Sequence, residues 1–421
     1  VVFDGRKVNM NEEKKKETSE QIEFREYCRE WLSKNLPGPA PAGTPQSVDG
    51  HLSEEQMVYL QAWQKSAYDG GLVGCDYPKE YGGGGRTGCQ LIANLEMQSI
   101  GTPPFPNFIA LGMGAATILT HGSEEIKKRF IPKMLSGEEI WCQGFSEPNA
   151  GSDLANQETF AEKKGDDWVI NGQKIWTSVA QFASWMILLC RTDRSHKHKG
   201  LSYFIVPIKA GLGKGVEVRP LVKMTGETGF NEVFFTDHVI PDKYRLDEVG
   251  KGWSVAMTTL LHERGAGALV VPSAGGRVSK TAAMIGNAMS LIGLAKKSAR
   301  NGKTAADDPV IRDRIMQLII RQNGFGQAGR RAGVKGLIDH PMRIPMQGKL
   351  VGSEVVQEIT ALAVDIQGAS GTLSISDRNA PDDGQWPYQY INSYGMTIAA
   401  GTSEIQRNQL GERVLGMPKS K

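Results

Sequence analysis

The stretch richest in possible chemistry is Trp141-Cys142-Gln143-Gly144-Phe145-Ser146-Glu147-Pro148-Asn149-Ala150-Gly151-Ser152-Asp153-Leu154. An apolar lead-in runs into Ser-Glu-Pro, a small-residue turn at Asn149-Ala150-Gly151, and a hydroxyl beside a carboxylate. Proline removes an N–H and fixes one φ, while Gly and Asn accept φ above zero. Such a loop can fold back and turn its backbone N–H groups and the Ser152 hydroxyl on a bound molecule. A plain interdomain loop accounts for Pro148 and Gly151 equally, so this stretch alone leaves both readings open. A second stretch lies near the end, Ala399-Ala400-Gly401-Thr402-Ser403-Glu404-Ile405-Gln406-Arg407. Gly401 permits a tight turn, and Ser403 with Gln406 reads as a capping box opening a helix. Free N–H groups at that helix start suit a phosphate or a carbonyl oxygen.

Downstream of the first loop, Gly165-Asp166-Asp167-Trp168-Val169-Ile170-Asn171-Gly172-Gln173-Lys174-Ile175-Trp176-Thr177-Ser178 reads as two strands around an Asn-Gly turn, ending in a Trp and two hydroxyls. With this stretch added, the sequence closely resembles the acyl-CoA dehydrogenase family of flavoproteins. The family's middle-domain signature is similar to Phe145-Ser-Glu-Pro-Asn-Ala-Gly-Ser152 followed by Asn171-Gly-Gln-Lys-Ile-Trp-Thr-Ser178, and the likeness runs from roughly residue 20 to the C-terminus. It implies an α-helical domain over 1–140, an antiparallel β-domain over 141–250 and a helical bundle over 251–421.

The implied reaction is FAD-dependent α,β-dehydrogenation of an acyl-CoA thioester to the trans-2-enoyl-CoA. A base takes the α-proton, flavin N5 accepts the β-hydrogen as hydride, and donors polarise the thioester carbonyl. The resemblance assigns Gln143, Phe145, Ser146, Gly151 and Ser152 to the flavin edge, with Ser152 also on the ligand. Trp176 would pack against the ring and Ser178 would bond near N5. Thr402 and Glu404 match positions that contact FAD. Gln367-Gly368-Ala369-Ser370-Gly371 matches a loop that usually reaches the cofactor of a neighbouring subunit, which implies a homodimer or homotetramer. An electron-transfer flavoprotein is the implied electron acceptor.

Two departures from the family pattern matter. Many members place the catalytic Glu immediately before the Gly-Thr of the C-terminal signature, and here that residue is Ala400. Alanine takes no proton. Aligning Gly252-Trp253-Ser254-Val255-Ala256-Met257 puts Arg264 on the usual Arg near the substrate and Glu263 on the base position of the isovaleryl-CoA and long-chain branches, which also lack the Glu before Gly-Thr. Glu263 ends an apolar helical run and is followed by the small residues Gly265, Gly267 and Ala268. A carboxylate buried beside an apolar ligand is pushed towards neutrality, as a general base requires. A surface charge pair is the plain alternative for Glu263 and Arg264. The Ala400 N–H still offers a donor to the thioester carbonyl, and His262 reads as packing. The second departure is at the pyrophosphate-contacting Arg-x-x-Phe-Gly pattern, where Arg300 is matched without the Phe-Gly. Two other functions stay open: a non-catalytic flavoprotein subunit of a hetero-oligomeric dehydrogenase, which Ala400 favours, and a same-fold flavin monooxygenase, which would not need Glu263 and Arg264.

The rest of the chain must position these residues. At 421 residues it suits two or three packed units. Its hydrophobic content of 40%, charged content of 23% and net charge of +3 are those of a globular protein with no nucleic-acid-binding face. Cys28, Cys75, Cys89, Cys142 and Cys190 are odd in number and lack C-x-x-C spacing, which argues for a reducing compartment and against disulfides or zinc. The expected place is the cytoplasm, with a mitochondrial matrix as the alternative. His196-Lys197-His198-Lys199 reads as a charged hairpin tip rather than a metal tract. No apolar run reaches the ~18 residues of a membrane span. The chain opens on Val1 with no signal peptide, which reads as a trimmed or renumbered start.

Residues 1–20 read as a solvated lead-in, and Gln21 to Asn35 as a helix carrying Ile22, Phe24, Tyr27, Trp31 and Leu32. Ser53 with Gln56 caps a helix bearing Leu60, Trp63 and Ala67. Tyr77 to Gly85 reads as a flexible turn rather than a phosphate cradle, since no strand precedes it with P-loop spacing. Further helices are expected over Cys89–Ser99, Phe108–Thr120 and Ser123–Leu135. Strands are expected at Trp185–Cys190, Leu201–Val206, Val216–Arg219 and Glu232–Phe235. Helices resume after Trp253, with one irregular acidic and aromatic stretch from Asp377 to Tyr390.

Overall fold

The computed structural model describes residues 17–44, 52–263, 286–331, 334, 340, 343–375 and 377–419. The N-terminal helices are α1 (Ser19–Lys34), α2 (Glu54–Asp69), α3 (Cys89–Ile100), α4 (Ala115–His121) and α5 (Glu124–Ser136). Thr18 with Gln21, and Ser53 with Gln56, form reciprocal capping boxes. In α1 the buried face is Phe24, Cys28 and Leu32, whereas Ile22 and Tyr27, also at helical spacing, are exposed. The glycine-rich turn after Tyr77 spends its own donors: Gly82, Gly83, Gly84 and Gly85 donate to Lys79, Pro78, Gly74 and Tyr77 carbonyls. Its glycine N–H groups are therefore not available to a phosphate.

The middle region is an eight-stranded sheet in the order β6-β7-β3-β2-β4-β5-β8, with β1 beside β4. Its strands are β1 (Trp141–Gly144), β2 (Phe160–Lys164), β3 (Asp167–Ser178), β4 (Trp185–Arg191), β5 (Leu201–Pro207), β6 (Val216–Leu221), β7 (Phe230–Pro241) and β8 (Arg245–Leu246). Most pairs are antiparallel, but β1 runs parallel to β4, and Phe160 of β2 joins Arg191 in parallel. Both sheet faces are covered. Ile187 and Leu189 of β4 enter the core shared with the N-terminal helices, while Met186, Leu188 and Cys190 enter a second core on the opposite face. That double burial explains why β4 is a continuous apolar run instead of an alternating one.

The expected Asn171-Gly172 turn is absent. β3 passes straight through it, and the pairing with β7 slips between Ile170 and Gly172 as a bulge. Asn171 exchanges hydrogen bonds with Asp237 across the bulge, at 3.0 and 2.9 Å. At Gly172, φ is +145°, and a Cβ would lie 2.6 Å from the Thr159 Cα. The glycine serves a close backbone crossing rather than a chain reversal.

Beyond the sheet come α6 (Gly252–Leu261), α7 (Ser290–Lys297), a two-residue hairpin at Ala299–Arg300 and Lys303–Thr304, α8 (Pro309–Arg330), α9 (Arg343–Gln367), α10 (Gln385–Ile398) and α11 (Ser403–Gln409). The stretch expected to be irregular from Asp377 to Tyr390 is helical from Gln385. Gly384 (φ +69°) precedes the helix, Trp386 is buried, and its indole donates to Asp382 at 3.1 Å. Pro387 falls in the first turn, where a missing N–H costs nothing. No helix among the described residues is long and apolar enough to cross a membrane.

Helix α6 joins the parts. Its first residue, Gly252, lies so close to β5 that a Cβ would meet Ser202 backbone atoms at 2.5–2.6 Å. Gly293, inside α7, faces open space. Gly252→Ala is expected to cost about 1–3 kcal/mol through overpacking, and Gly293→Ala to be neutral or stabilising by up to about 1 kcal/mol. Denaturant titration of the two variants beside the parent checks both.

Candidate active site

The loop after β1 is shaped by a buried ion pair. Lys174 of β3 is fully buried, and its ammonium lies 2.7 Å from Glu147 Oε1. The same ammonium donates to the Phe145 carbonyl at 3.2 Å and to the Gln157 amide oxygen. Glu147 also accepts the N–H groups of Glu158 (2.6 Å) and Thr159 (3.0 Å), closing the loop on itself. Burial opposes ionisation of Glu147, but the ammonium and these donors outweigh it and hold the carboxyl below its usual range. The Ile175 N–H donates to the Ser146 carbonyl at 2.9 Å, and Glu147 and Ala150 exchange backbone bonds at 3.1 Å.

This network leaves Gly151, Ser152 and Asp153 exposed. Neither Asn149 nor Gly151 has the positive φ expected of the turn. The internal Glu147–Ala150 bonds supply the reversal instead. Phe145 is buried with its ring edge-on to Tyr203 at 5.8 Å, and Gln143 and Ser146 are half-buried beside it.

The end of β3 is strained. Trp176 has φ +61°, Val179 has φ +51°, and pairing with β7 slips between Lys174 and Thr177. Such backbone is uncommon for a bulky residue and concentrates at functional sites. The result is an indole that is 53% exposed, touching Phe230 edge-on at 5.7 Å, with half-buried Ser178 two residues on.

In the C-terminal signature the cap lies one residue earlier than expected. Thr402, not Ser403, is the N-cap of α11, its hydroxyl accepting the Ile405 N–H at 3.2 Å. Gln406 reaches back to the Ala400 carbonyl at 3.0 Å rather than completing a capping box. Ala400 is left-handed (φ +54°), as is Gly401 (φ +93°), and Glu404 is exposed. At the far end of α9, Gln367 is buried, and Gly368 turns at φ +57°. Arg300 donates to Asp308 at 3.0 Å and to the Asp365 carbonyl at 3.2 Å, so two of its donors serve the fold. The positions of the missing Phe-Gly are the exposed Lys303 and Thr304.

Glu263 is half-buried just past the end of α6, and Arg264 lies outside the described residues. His262 is half-buried, and burial holds its imidazole below the usual value. The helix is registered by a chain of buried hydroxyls that sequence reading missed. Thr259 lies 3.0 Å from Tyr203 of β5 and 3.0 Å from Thr117 of α4. The Lys174 network was also missed. Its one signal is a Lys on the same strand parity as Trp168 and Ile170, both buried.

Known proteins bear on this arrangement directly. Models of the acyl-CoA dehydrogenase N-terminal, middle and C-terminal domains match residues 18–138, 142–238 and 250–415. The chain belongs to the acyl-CoA dehydrogenase family. It is 37% identical over 412 residues to the acyl-CoA dehydrogenase IpdE1 of Mycolicibacterium smegmatis, covering 94% of this chain and 98% of that relative. The Mycobacterium tuberculosis IpdE1 is 35% identical over 403 residues, with the same coverage. Among solved structures, the Tcur3481-Tcur3483 steroid ACAD superposes with TM-score 0.71 at 27% identity, covering 96% of this chain and 99% of that one. The ChsE4-ChsE5 complex from Mycobacterium tuberculosis superposes with TM-score 0.68 at 26% identity, covering 96% and 99%.

Acyl-CoA dehydrogenases are flavoprotein oxidoreductases acting on acyl-CoA, and the residues present suit a flavin. Trp176 offers a flat exposed ring. The Thr177 hydroxyl and both amide atoms of Gln367 are buried without a partner among the described residues. Buried polar atoms left unmatched call for a ligand or another chain.

Breaking the Glu147–Lys174 pair tests what shapes the loop. Lys174→Met leaves a buried carboxylate uncompensated and is expected to cost about 3–5 kcal/mol. Adding Glu147→Gln to that variant should recover part of the loss, as chemical denaturation of the single and double variants would show.

Proposed function

We propose that this acyl-CoA dehydrogenase family member converts an acyl-CoA thioester to the trans-2-enoyl-CoA, with Glu263 as the α-proton base. The observation that carries this reading is the combination of a half-buried Glu263 on a firmly registered α6 with an Ala at position 400. Ala400 retains a left-handed backbone, and its N–H, which donates to no described residue, is the proposed donor to the thioester carbonyl although the side chain carries no acid. Ser152, exposed on the loop that Lys174 anchors, is assigned to the ligand, and Arg264, outside the described residues, is the arginine assigned to the substrate. Gln143, Phe145, Ser146, Gly151, Ser152, Trp176, Ser178, Arg300, Thr402 and Glu404 hold FAD, with Gln367 and Gly368 reaching the FAD of a neighbouring copy. Bound FAD supplies the hydride acceptor. An electron-transfer flavoprotein in the cytoplasm is the proposed electron acceptor.

Glu263 must be ionised to accept the proton. A carboxylate covered by an acyl chain is pushed towards neutrality, which suits proton abstraction.

A second reading has specific support. One structural relative is a complex of two differently named chains. Loss of the acid at Ala400 suits a subunit that works with a different partner chain. In that case the chain purified alone would hold little flavin and would gain it on co-expression with a related chain.

A visible spectrum of the purified protein, followed by anaerobic addition of short, branched, cyclic and long acyl-CoAs, tests the main reading. Bleaching of the flavin by one class is expected and names the substrate. A flavin that stays oxidised with every thioester would remove the dehydrogenase assignment. Glu263→Gln is expected to keep its flavin and lose activity by about 10²–10⁴-fold. Full activity in that variant would take the base role from Glu263.

A further inference from the structure

We infer that Lys349 is a positioning residue for the Ala400–Gly401 turn. This rests on the reading of that turn as the thioester-facing element. Lys349 is half-buried on α9, and its ammonium donates to the Gly401 carbonyl at 2.5 Å. Gln406 donates to the preceding carbonyl, that of Ala400, at 3.0 Å. Two successive peptide planes are thus held by side chains from the body of the helical region.

The need for such a clamp follows from the backbone. Ala400 (φ +54°) and Gly401 (φ +93°) are both left-handed. For an alanine that conformation is disfavoured by roughly 1–2 kcal/mol. Without outside restraint this turn would relax towards ordinary φ, rotating the peptide planes. In a trans peptide the C=O and the next N–H point opposite ways. Holding the two carbonyls towards Lys349 and Gln406 therefore turns the Gly401 and Thr402 N–H groups away from them. The N–H groups of Ala400, Gly401 and Thr402 donate to no described residue. The clamp consumes acceptors and leaves donors, which is the arrangement needed where negative charge develops on a carbonyl oxygen.

Burial also pulls the Lys349 ammonium below its usual pKa, against the opposing fields of Glu354 and Glu404. Its hydrogen bond to a carbonyl compensates part of that desolvation. A second tie between the same helices serves as an internal control: Arg407 of α11 pairs with Glu354 of α9 at 2.6 Å without touching the turn.

The test compares Lys349→Met, Lys349→Arg and Glu354→Gln in the flavin-loaded protein. Two readouts are used: kcat and KM with whichever acyl-CoA bleaches the parent flavin, and hydrogen exchange of the peptide spanning Ala399–Arg407 without any ligand. Lys349→Met is expected to lower kcat by roughly tenfold or more with KM little changed, since small misplacements cost up to about 10²-fold. It should also speed exchange of the Ile405 and Gln406 amides. Lys349→Arg should restore most of both, and Glu354→Gln should leave kcat at the parent value. Parent-like kcat and exchange in Lys349→Met would overturn the inference. An equal kcat loss in Glu354→Gln would reduce Lys349 to a helix tie and overturn it too. If no acyl-CoA bleaches the flavin, the dehydrogenase reading falls, and the exchange readout alone decides whether Lys349 holds the turn.

Discussion

The buried contact between Lys174 and Glu147 is the constraint on which the site's geometry depends. A lysine without solvent exposure is costly unless its charge and all three donors are met. Here they are met by a carboxylate, a backbone carbonyl and an amide oxygen from three points of one loop. The loop cannot adopt another path without stranding that ammonium. The first residues after β1 and the far side of the loop near Gln157 are thereby pinned to the middle of β3, a few residues before the exposed Trp176. Arg191 of β4 repeats the device at the loop's end, donating to the Gln157 carbonyl at 2.9 Å and the Ala155 carbonyl at 2.7 Å. The exposed segment at Gly151–Asp153 is what remains once both cations have been satisfied.

Around this anchor, the sheet acts as a wall shared by two cores. Phe130 of α5 meets Trp141 at 5.3 Å and Trp185 at 4.9 Å, both edge-on, so the N-terminal helices are keyed to β1 and β4 by aromatic packing. On the same face Tyr203 contributes its ring to the core and its hydroxyl to Thr259. Helix α6 is thus held by apolar contact through Val255 and Ala256 and by hydroxyl bonds one turn before Glu263. Registering a helix from both neighbours at one residue limits both rotation and sliding. That is what a carboxylate at its end requires if it is to meet one carbon of a substrate.

Much of this was legible from sequence because it is local. Capping at Ser53 and Gln56, the strand runs at Trp185–Cys190 and Leu201–Val206, and the helix from Gln21 follow from short-range preferences, and the structure agrees at each. The misses share a different cause. Asn171-Gly172 carries the strongest hairpin signal in the chain, yet Thr159 and Asp237, distant in sequence, turn it into a bulge. Ile22 and Tyr27 fit helical periodicity but lie on the outer side of α1, because the position of α3 decides which stripe is buried. Ser403 was read as the cap, whereas Gln406 is drawn away by the Ala400 carbonyl and Thr402 takes the role. Strand parity alone hints that Lys174 is buried, and its partners Phe145, Glu147 and Gln157 come from a loop that no local rule links to it. Local chemistry specified the elements, and contacts between distant segments chose among their options.

The positions where backbone preference is violated carry the same lesson further. Trp176 and Ala400 sit one in each signature, and both are left-handed although neither is glycine. A bulky indole or a methyl group at such φ is disfavoured, and glycine would remove the strain at either position. At Trp176 glycine would forfeit the exposed ring, which explains the retained side chain. At Ala400 the side chain offers one methyl group and no proton, so its chemistry cannot explain the strain. What persists there is the shape of the turn, with carbonyls drawn inward by Lys349 and Gln406. Loss of a carboxylate from this position therefore separates two roles that one residue can combine, proton transfer and carbonyl binding. On the proposed reading the first falls to Glu263, whereas the second belongs to the backbone and stays where the turn is held.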